Sequence, residues 1–202
     1  MDHPVIISGG GIIGCYVHLR LKQAGISSQI IEKGPSLTSL SSNIRTISLN
    51  PSTYKLLLEI GIELESASVE TIKVSDGDGS GKIQFTANEV DEEALSHVAM
   101  FNELLEKIQD KASNAIQFES EIISVSKLDK LTKITLSNNC ELQTSLLIGS
   151  DGRNSPVAQL SNFISKTNDY KQTAFTFLAK EASDDNNSTA IQIFSDKGIF
   201  AL

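Results

Sequence analysis

The chain has 202 residues, 40% of them hydrophobic, and a formal net charge of −8. This length fits one large domain or one and a half, with enough apolar material for a core. The acidic balance argues against nucleic acid as a partner and against anionic lipid as a default one, no apolar run approaches the ~20 residues of a membrane-crossing helix, and the N-terminus lacks the basic-then-apolar order of a signal peptide.

In chain order, residues 5–8 form a short apolar strand that runs straight into Gly9-Gly10-Gly11-Ile12-Ile13-Gly14. Apolar residues then recur at Ile13, Val17, Leu21 and Ala24, a spacing that predicts a helix over 12–24, stopped by Gly25. Residues 28–31 predict a second strand, ending at Glu32. Strand, Gly-x-Gly-x-x-Gly, helix, strand and acid in this order make the dinucleotide-binding arrangement. Gly9 permits the tight turn out of the strand, Gly11 lets a pyrophosphate approach the backbone, and Gly14 lets the helix lie close to the sheet. The first amides of the helix offer hydrogen bonds and partial positive charge to phosphate. Glu32, about 20 residues on, suits the two hydroxyls of an adenosine ribose, which favours FAD or NAD over NADP. The motif itself does not choose between FAD and NAD, so an NAD-dependent dehydrogenase of the doubly wound class stands as an alternative.

Gly34-Pro35 then breaks regular structure, and a polar loop runs to about Asn43. Residues 44–49 read as extended, followed by a helix with Asn50 as cap, Pro51 at its first position, and Leu56, Leu57 and Ile60 as its inner face. Residues 70–75 and 82–86 alternate around Asp76-Gly77-Asp78-Gly79-Ser80-Gly81, which predicts a β-hairpin. The same run matches the first half of a calcium-binding loop, but its twelfth position is Ala87 and its flanks are strands, so a turn is expected. A helix from Asn102 to about Ala112 and strands over 121–128, 133–136 and 145–148 follow. From residue 166 the chain turns to strand-like alternation (173–180 and 190–194) around a polar loop at 184–188. The expected organisation is therefore a cofactor domain over 1–165, with a hairpin excursion near 70–90, and a second, sheet-based domain beginning at 166–202.

Cys15 and Cys140 do not make a disulfide scaffold, and both are expected to be buried free thiols. Cys15 sits where a helix N-terminus can lower a thiol pKa, but a small residue packed near the sheet is the simpler reading. His3, His18 and His97 are scattered without ligand spacing, so no metal is expected.

Residues 146–149 lead into Ser150-Asp151-Gly152-Arg153-Asn154-Ser155, a strand ending in Gly-x-Asp-Gly-x-x-Ser. Alone, this is a turn. Together with Gly9, Gly11, Gly14 and Glu32 it resembles the FAD-dependent aromatic hydroxylases of the p-hydroxybenzoate hydroxylase fold. The resemblance implies that Asp151 and Gly152 lie near the FAD pyrophosphate, and that Arg45, just ahead of a strand, makes charge-assisted contacts with the phosphates. Tyr170-x-Gln172-x-Ala174 and residues 193–202 are similar to the ubiquinone-biosynthesis branch, which oxidises the ring of polyprenylated phenols. The implied fold is α/β: a Rossmann-like FAD-binding βαβ domain with the start of a β-sheet substrate domain. The implied cofactors are FAD and, as reductant, NAD(P)H, with O2 as co-substrate. No side chain stands out as a catalytic acid or base.

The chain departs from the branch pattern at Asn43, where an acid is usual, at Met100-Phe101-Asn102, where Glu-Asn-Arg is usual, and at Ala158, where a base is usual. No Gly-Asp followed by small residues and His-Pro is present, although that second flavin motif belongs to the family. The expectation is therefore an N-terminal half, completed by a C-terminal half or a complementing chain, cytoplasmic, and peripheral at the membrane where a polyprenyl substrate would lie. A non-catalytic remnant or accessory chain is the third reading.

Overall fold

A computed structural model describes residues 3–36, 44–179 and 188–202. In chain order the strands and helices are β1 (Val5–Ser8), α1 (Ile12–Gln23), β2 (Ser28–Ile31), β3 (Thr46–Leu49), α2 (Pro51–Glu59), β4 (Ser66–Val69), β5 (Thr71–Asp76), β6 (Lys82–Thr86) and β7 (Ser96–Met100). Then come α3 (Phe101–Ala112), β8 (Ile116–Gln117), β9 (Ile122–Leu128), β10 (Leu131–Leu136), β11 (Glu141–Thr144), β12 (Leu147–Gly149), α4 (Pro156–Leu160), β13 (Thr189–Ser195) and β14 (Gly198–Ala201). They fall into two compact units, Met1–Asn43 with Leu104–Phe175, and Ile44–Glu103 with Thr176–Leu202.

The first unit is built on a parallel sheet in the order β12-β1-β2-β8. β1 is buried along its whole length, as a central parallel strand covered on both faces must be. The chain crosses from β1 through α1 to β2, and later returns to the opposite side of β1 as β12. The order thus reverses beside β1, and the carboxyl ends of β1 and β12 flank a topological switch point, where open α/β sheets bind ligands. An antiparallel sheet, β11-β10-β9, packs beside it. Ile6, Ile31, Ile122, Ile134, Leu136 and Val157 form the shared core. The Thr144 side chain is fully buried; its hydroxyl lies 2.7 Å from the Pro4 carbonyl and accepts from the Leu146 amide, which fixes the start of β12 against the start of β1.

Helix α1 forms where expected, but a different face is buried. Gly14, Cys15, His18 and Leu19 face inward, whereas Ile13 is 65% exposed. Close packing at the glycine turn sets the rotation of this helix, so the apolar stripe read from Ile13, Val17, Leu21 and Ala24 is off by about one residue. His18 Nδ1, 2.8 Å from Ser28 Oγ, ties the helix to β2, and burial with the nearby Lys22 charge holds its pKa below the usual value.

The second unit carries two sheets, β3-β7-β4 and β14-β13-β5-β6. Asn50 caps α2 as expected, its side chain accepting from the Thr53 amide at 2.7 Å. Leu57 and Ile60 are buried, but Leu56 points outward. The expected hairpin forms, with β5 and β6 paired antiparallel from Thr71 opposite Thr86 to Ser75 opposite Lys82, and β13 pairs with β5 in parallel. Residues 71–86 and 189–201 therefore share one sheet, an arrangement that a sequential boundary at 166 does not describe. The turn reading of residues 76–81 fits: the Asp78 amide donates to Asp76 Oδ1, an Asx-type turn. The strand expected at 173–180 is not formed over residues 173–179, which have no regular structure and leave Phe175 and Phe177 exposed. Alternation marks a strand only where a neighbour supplies the ladder. Residue 180, most of the loop at 184–188 and the loop through Asn43 lie outside the described residues.

Candidate functional site

At the switch point of the first unit lies a cleft of about 400 Å³. Its walls include Gly9, Gly11, Glu32, Asp151 and Gly152, five of the seven residues expected to bind the cofactor. Ser8, Ile122, Ser150 and Asn154 also line it, and none of these four was singled out from sequence.

Sterics set the glycine turn. Gly9 has φ +100°, and a Cβ there would meet the Ser150 carbonyl oxygen at 2.5 Å. The turn after β1 and the turn after β12 are thus in backbone contact, held by the Ser150 amide donating to the Ser8 carbonyl at 2.8 Å and by the Ser150 hydroxyl, 2.7 Å from that same oxygen. Gly14 sits behind the turn, where a Cβ would overlap the Gly9 carbonyl oxygen. Gly11 differs: a Cβ there would meet nothing within 4 Å, so its hydrogen faces open space in the cleft. The first amides of α1 have no acceptor within the helix and open beside Gly11.

The Glu32 carboxylate is held at the end of β2 by two backbone donors. Gly10 N–H donates to Oε2 and Gly34 N–H to Oε1, each at 2.6 Å. Each oxygen keeps a lone pair, so the oriented carboxylate can still accept from a diol. Across the cleft, Asp151 Oδ2 accepts from the Ser8 hydroxyl at 3.2 Å and from the Val157 amide of α4 at 3.1 Å. Its Oδ1 is buried and has no hydrogen-bond partner among the described residues. A buried carboxylate oxygen left without a donor costs about 1–3 kcal/mol or more. An elongated, hydroxyl-rich phosphate ester fits this donor and acceptor set: open backbone at Gly11 and Gly152 for a pyrophosphate and Glu32 for a ribose.

Arg45 lies in the second unit, ahead of β3, with its guanidinium 4.2 Å from the Phe101 ring centre and its carbonyl accepting from the Phe101 amide.

Cys15 is buried and donates to the Gly10 carbonyl at 3.3 Å. Burial, assisted by the Glu32 charge, pushes its thiol up to about 12, so the helix N-terminus does not activate it. Cys140, expected to be buried, is exposed. In the native chain one thiol should therefore react with Ellman's reagent at pH 8 and the second only after denaturation; two fast thiols would contradict the packing of Cys15.

The FAD binding domain family matches residues 2–198. The chain belongs to this family. Its cofactor is therefore FAD, and the fold is that of the FAD-dependent monooxygenases. Among curated relatives, the ubiquinone biosynthesis monooxygenase COQ6 of Caenorhabditis elegans is 26% identical, covering 99% of this chain and 49% of that protein. Monooxygenase 1 of Arabidopsis thaliana is 29% identical over 76% of this chain and 39% of its own length. The solved structure of 2,6-dihydroxypyridine-3-hydroxylase from Arthrobacter nicotinovorans superposes with a TM-score of 0.74 at 18% identity, over all of this chain and 51% of that one. The chain spans about half the length of the curated relatives it matches.

Proposed function

We propose that this chain is the FAD-holding portion of a flavin-dependent monooxygenase that hydroxylates the ring of a polyprenylated phenol in ubiquinone biosynthesis, with NAD(P)H as reductant. The observation that carries the reading is the cleft at the switch point, lined together by Gly9, Gly11, Glu32, Asp151 and Gly152, with open backbone at Gly11 and an oriented diol acceptor at Glu32. The COQ6 relatives support the substrate class. When bound, FAD supplies hydride acceptance and activation of O2.

The protein's part in this reading is binding and orientation. Glu32 accepts from the adenosine ribose, and the first turn of α1 with Gly11 receives the pyrophosphate. Asp151, braced by Ser8 and Val157, ties the end of β1 and the start of α4 together at the wall of the cleft. Arg45 enters as a phosphate contact on its sequence position alone. The β13–β14 segment, paired to β5, is proposed as the start of the substrate-binding sheet, which a further half or a complementing chain would extend. Among the described residues no helix is long and apolar enough to cross a membrane, so contact with a polyprenyl substrate is proposed as peripheral.

The test is the visible spectrum of the 202-residue chain after gel filtration with added FAD. Flavin absorbance eluting with the protein at near one equivalent is the expected result. A folded chain that elutes without flavin would overturn the proposal that this portion holds the cofactor, leaving the accessory-chain reading.

A further inference from the structure

One side chain reaches the glycine turn from far along the sequence. Gln109, on α3, donates from Nε2 to the Gly10 carbonyl at 2.6 Å. Its own Oε1 is buried and has no hydrogen-bond partner among the described residues. An amide is a poor choice for this place on packing grounds alone, because leaving one polar atom unsatisfied is unfavourable where leucine would leave none. What the amide provides is a donor at one end of the Gly10 residue. At the other end the Gly10 N–H donates to Glu32 Oε2, also at 2.6 Å. Gly10 has no side chain to fix its orientation, and its flanking residues Gly9 and Gly11 have none either. Its N–H shares a peptide plane with the Gly9 carbonyl, which lies 3.2 Å from the Ser150 hydroxyl, and its own carbonyl lies in the next plane; the Glu32 bond holds the first plane and the Gln109 bond the second, on either side of the Gly10 Cα.

We propose that Gln109 is a positioning residue for adenosine recognition: by gripping the Gly10 carbonyl it fixes the peptide that leaves Gly10, seats the Gly10 Cα, and so steadies the residue whose N–H holds the Glu32 carboxylate for the ribose diol. The Cys15 thiol donates to the same carbonyl at 3.3 Å, but a thiol is a weak donor and the amide bond is the shorter. The inference rests on the reading of Glu32 as the ribose acceptor. It adds that Glu32 is oriented by a residue 77 positions later, through one intervening glycine.

The experiment compares ADP and 2′-deoxy-ADP binding by calorimetry to the wild-type chain and to Gln109→Leu and Gln109→Met, with thermal melts of all three. Wild type should prefer ADP by about tenfold, the worth of one hydrogen bond to a charged acceptor. In both variants the preference should shrink to about twofold or less, while the melting temperature holds, since the unsatisfied Oε1 is removed along with the donor. A full tenfold preference retained in a folded variant would overturn the role of Gln109 while sparing that of Glu32. No preference in wild type would overturn the Glu32 reading itself, and this inference with it. If neither variant folds, the amide is a structural tie and the proposal fails.

Discussion

Gly14→Ala should strongly destabilise the nucleotide-binding unit, whereas Gly11→Ala, three residues earlier in the same motif, should leave it as stable as wild type but weaker in FAD binding. A Cβ at Gly14 would overlap the Gly9 carbonyl oxygen and sit 2.8 Å from Ser150 Oγ. Neither atom is a free end. Gly9 is held at φ +100°, and Ser150 is tied by its own amide and hydroxyl to the end of β1. Relieving the clash means lifting α1 off the sheet, which also exposes Cys15 and Leu19. The expected loss is about 3 kcal/mol or more, at the upper end for overpacking, read as a fall in the urea midpoint. Gly11 has ordinary backbone angles, φ −71° and ψ −177°, and open space where its Cβ would go. Alanine there should keep the urea midpoint within about 0.5 kcal/mol of wild type, as at an unstrained surface position, but weaken FAD by at least about tenfold, because the methyl fills the backbone's approach to the pyrophosphate. Equal effects from the two substitutions would contradict the distinct places of these glycines.

This part of the chain leaves its signature in the sequence itself. Gly9, Gly11, Gly14 and Glu32 fall within one short βαβ segment at a fixed spacing, so their pattern is local even though the close contact of Gly9 is with Ser150. Asp151 and Gly152 enter only through the resemblance to the FAD-dependent aromatic hydroxylases, because a strand ending in Asp-Gly is by itself a turn. What was illegible depended on partners far along the chain. Ser8 reads as an ordinary strand residue until Asp151 arrives to accept its hydroxyl. Gln109 reads as a polar position on an amphipathic helix, and only the packing of α3 brings it to Gly10. The inner face of α1 was misread because hydrophobicity is not what decides it: Gly14 and Cys15 face the sheet because they are small. The segment at 173–179 shows the reverse failure, a correct alternation with no strand beside it to complete a ladder.

Removing the Glu32 carboxylate should have the second large effect, and it should fall on affinity more than on folding. The side chain is part-buried and accepts two backbone N–H groups at 2.6 Å, from Gly34, which is half-exposed so that water can replace the carboxylate there, and from Gly10, which is buried. In the bound state the same carboxylate would also accept from ribose hydroxyls. Hydrogen bonds to a charged acceptor contribute about 1.5–3 kcal/mol each, so losing two of them in Glu32→Ala should raise the Kd for FAD by on the order of 100-fold. Glu32→Gln separates charge from geometry. It keeps the length and one carbonyl oxygen, but turns an NH2 toward a backbone N–H on one side, so one of the two grips becomes donor against donor. A shift of about tenfold or more is expected for it, seen by flavin fluorescence titration, with ADP weakened in parallel because only the adenosine end is affected. FMN, which carries no adenosine, should bind the wild type and both variants alike. If FMN binding fell with FAD binding, Glu32 would be acting through the shape of the cleft rather than on the ribose, and the assignment of the adenosine end to the β2 side of the cleft would have to be abandoned.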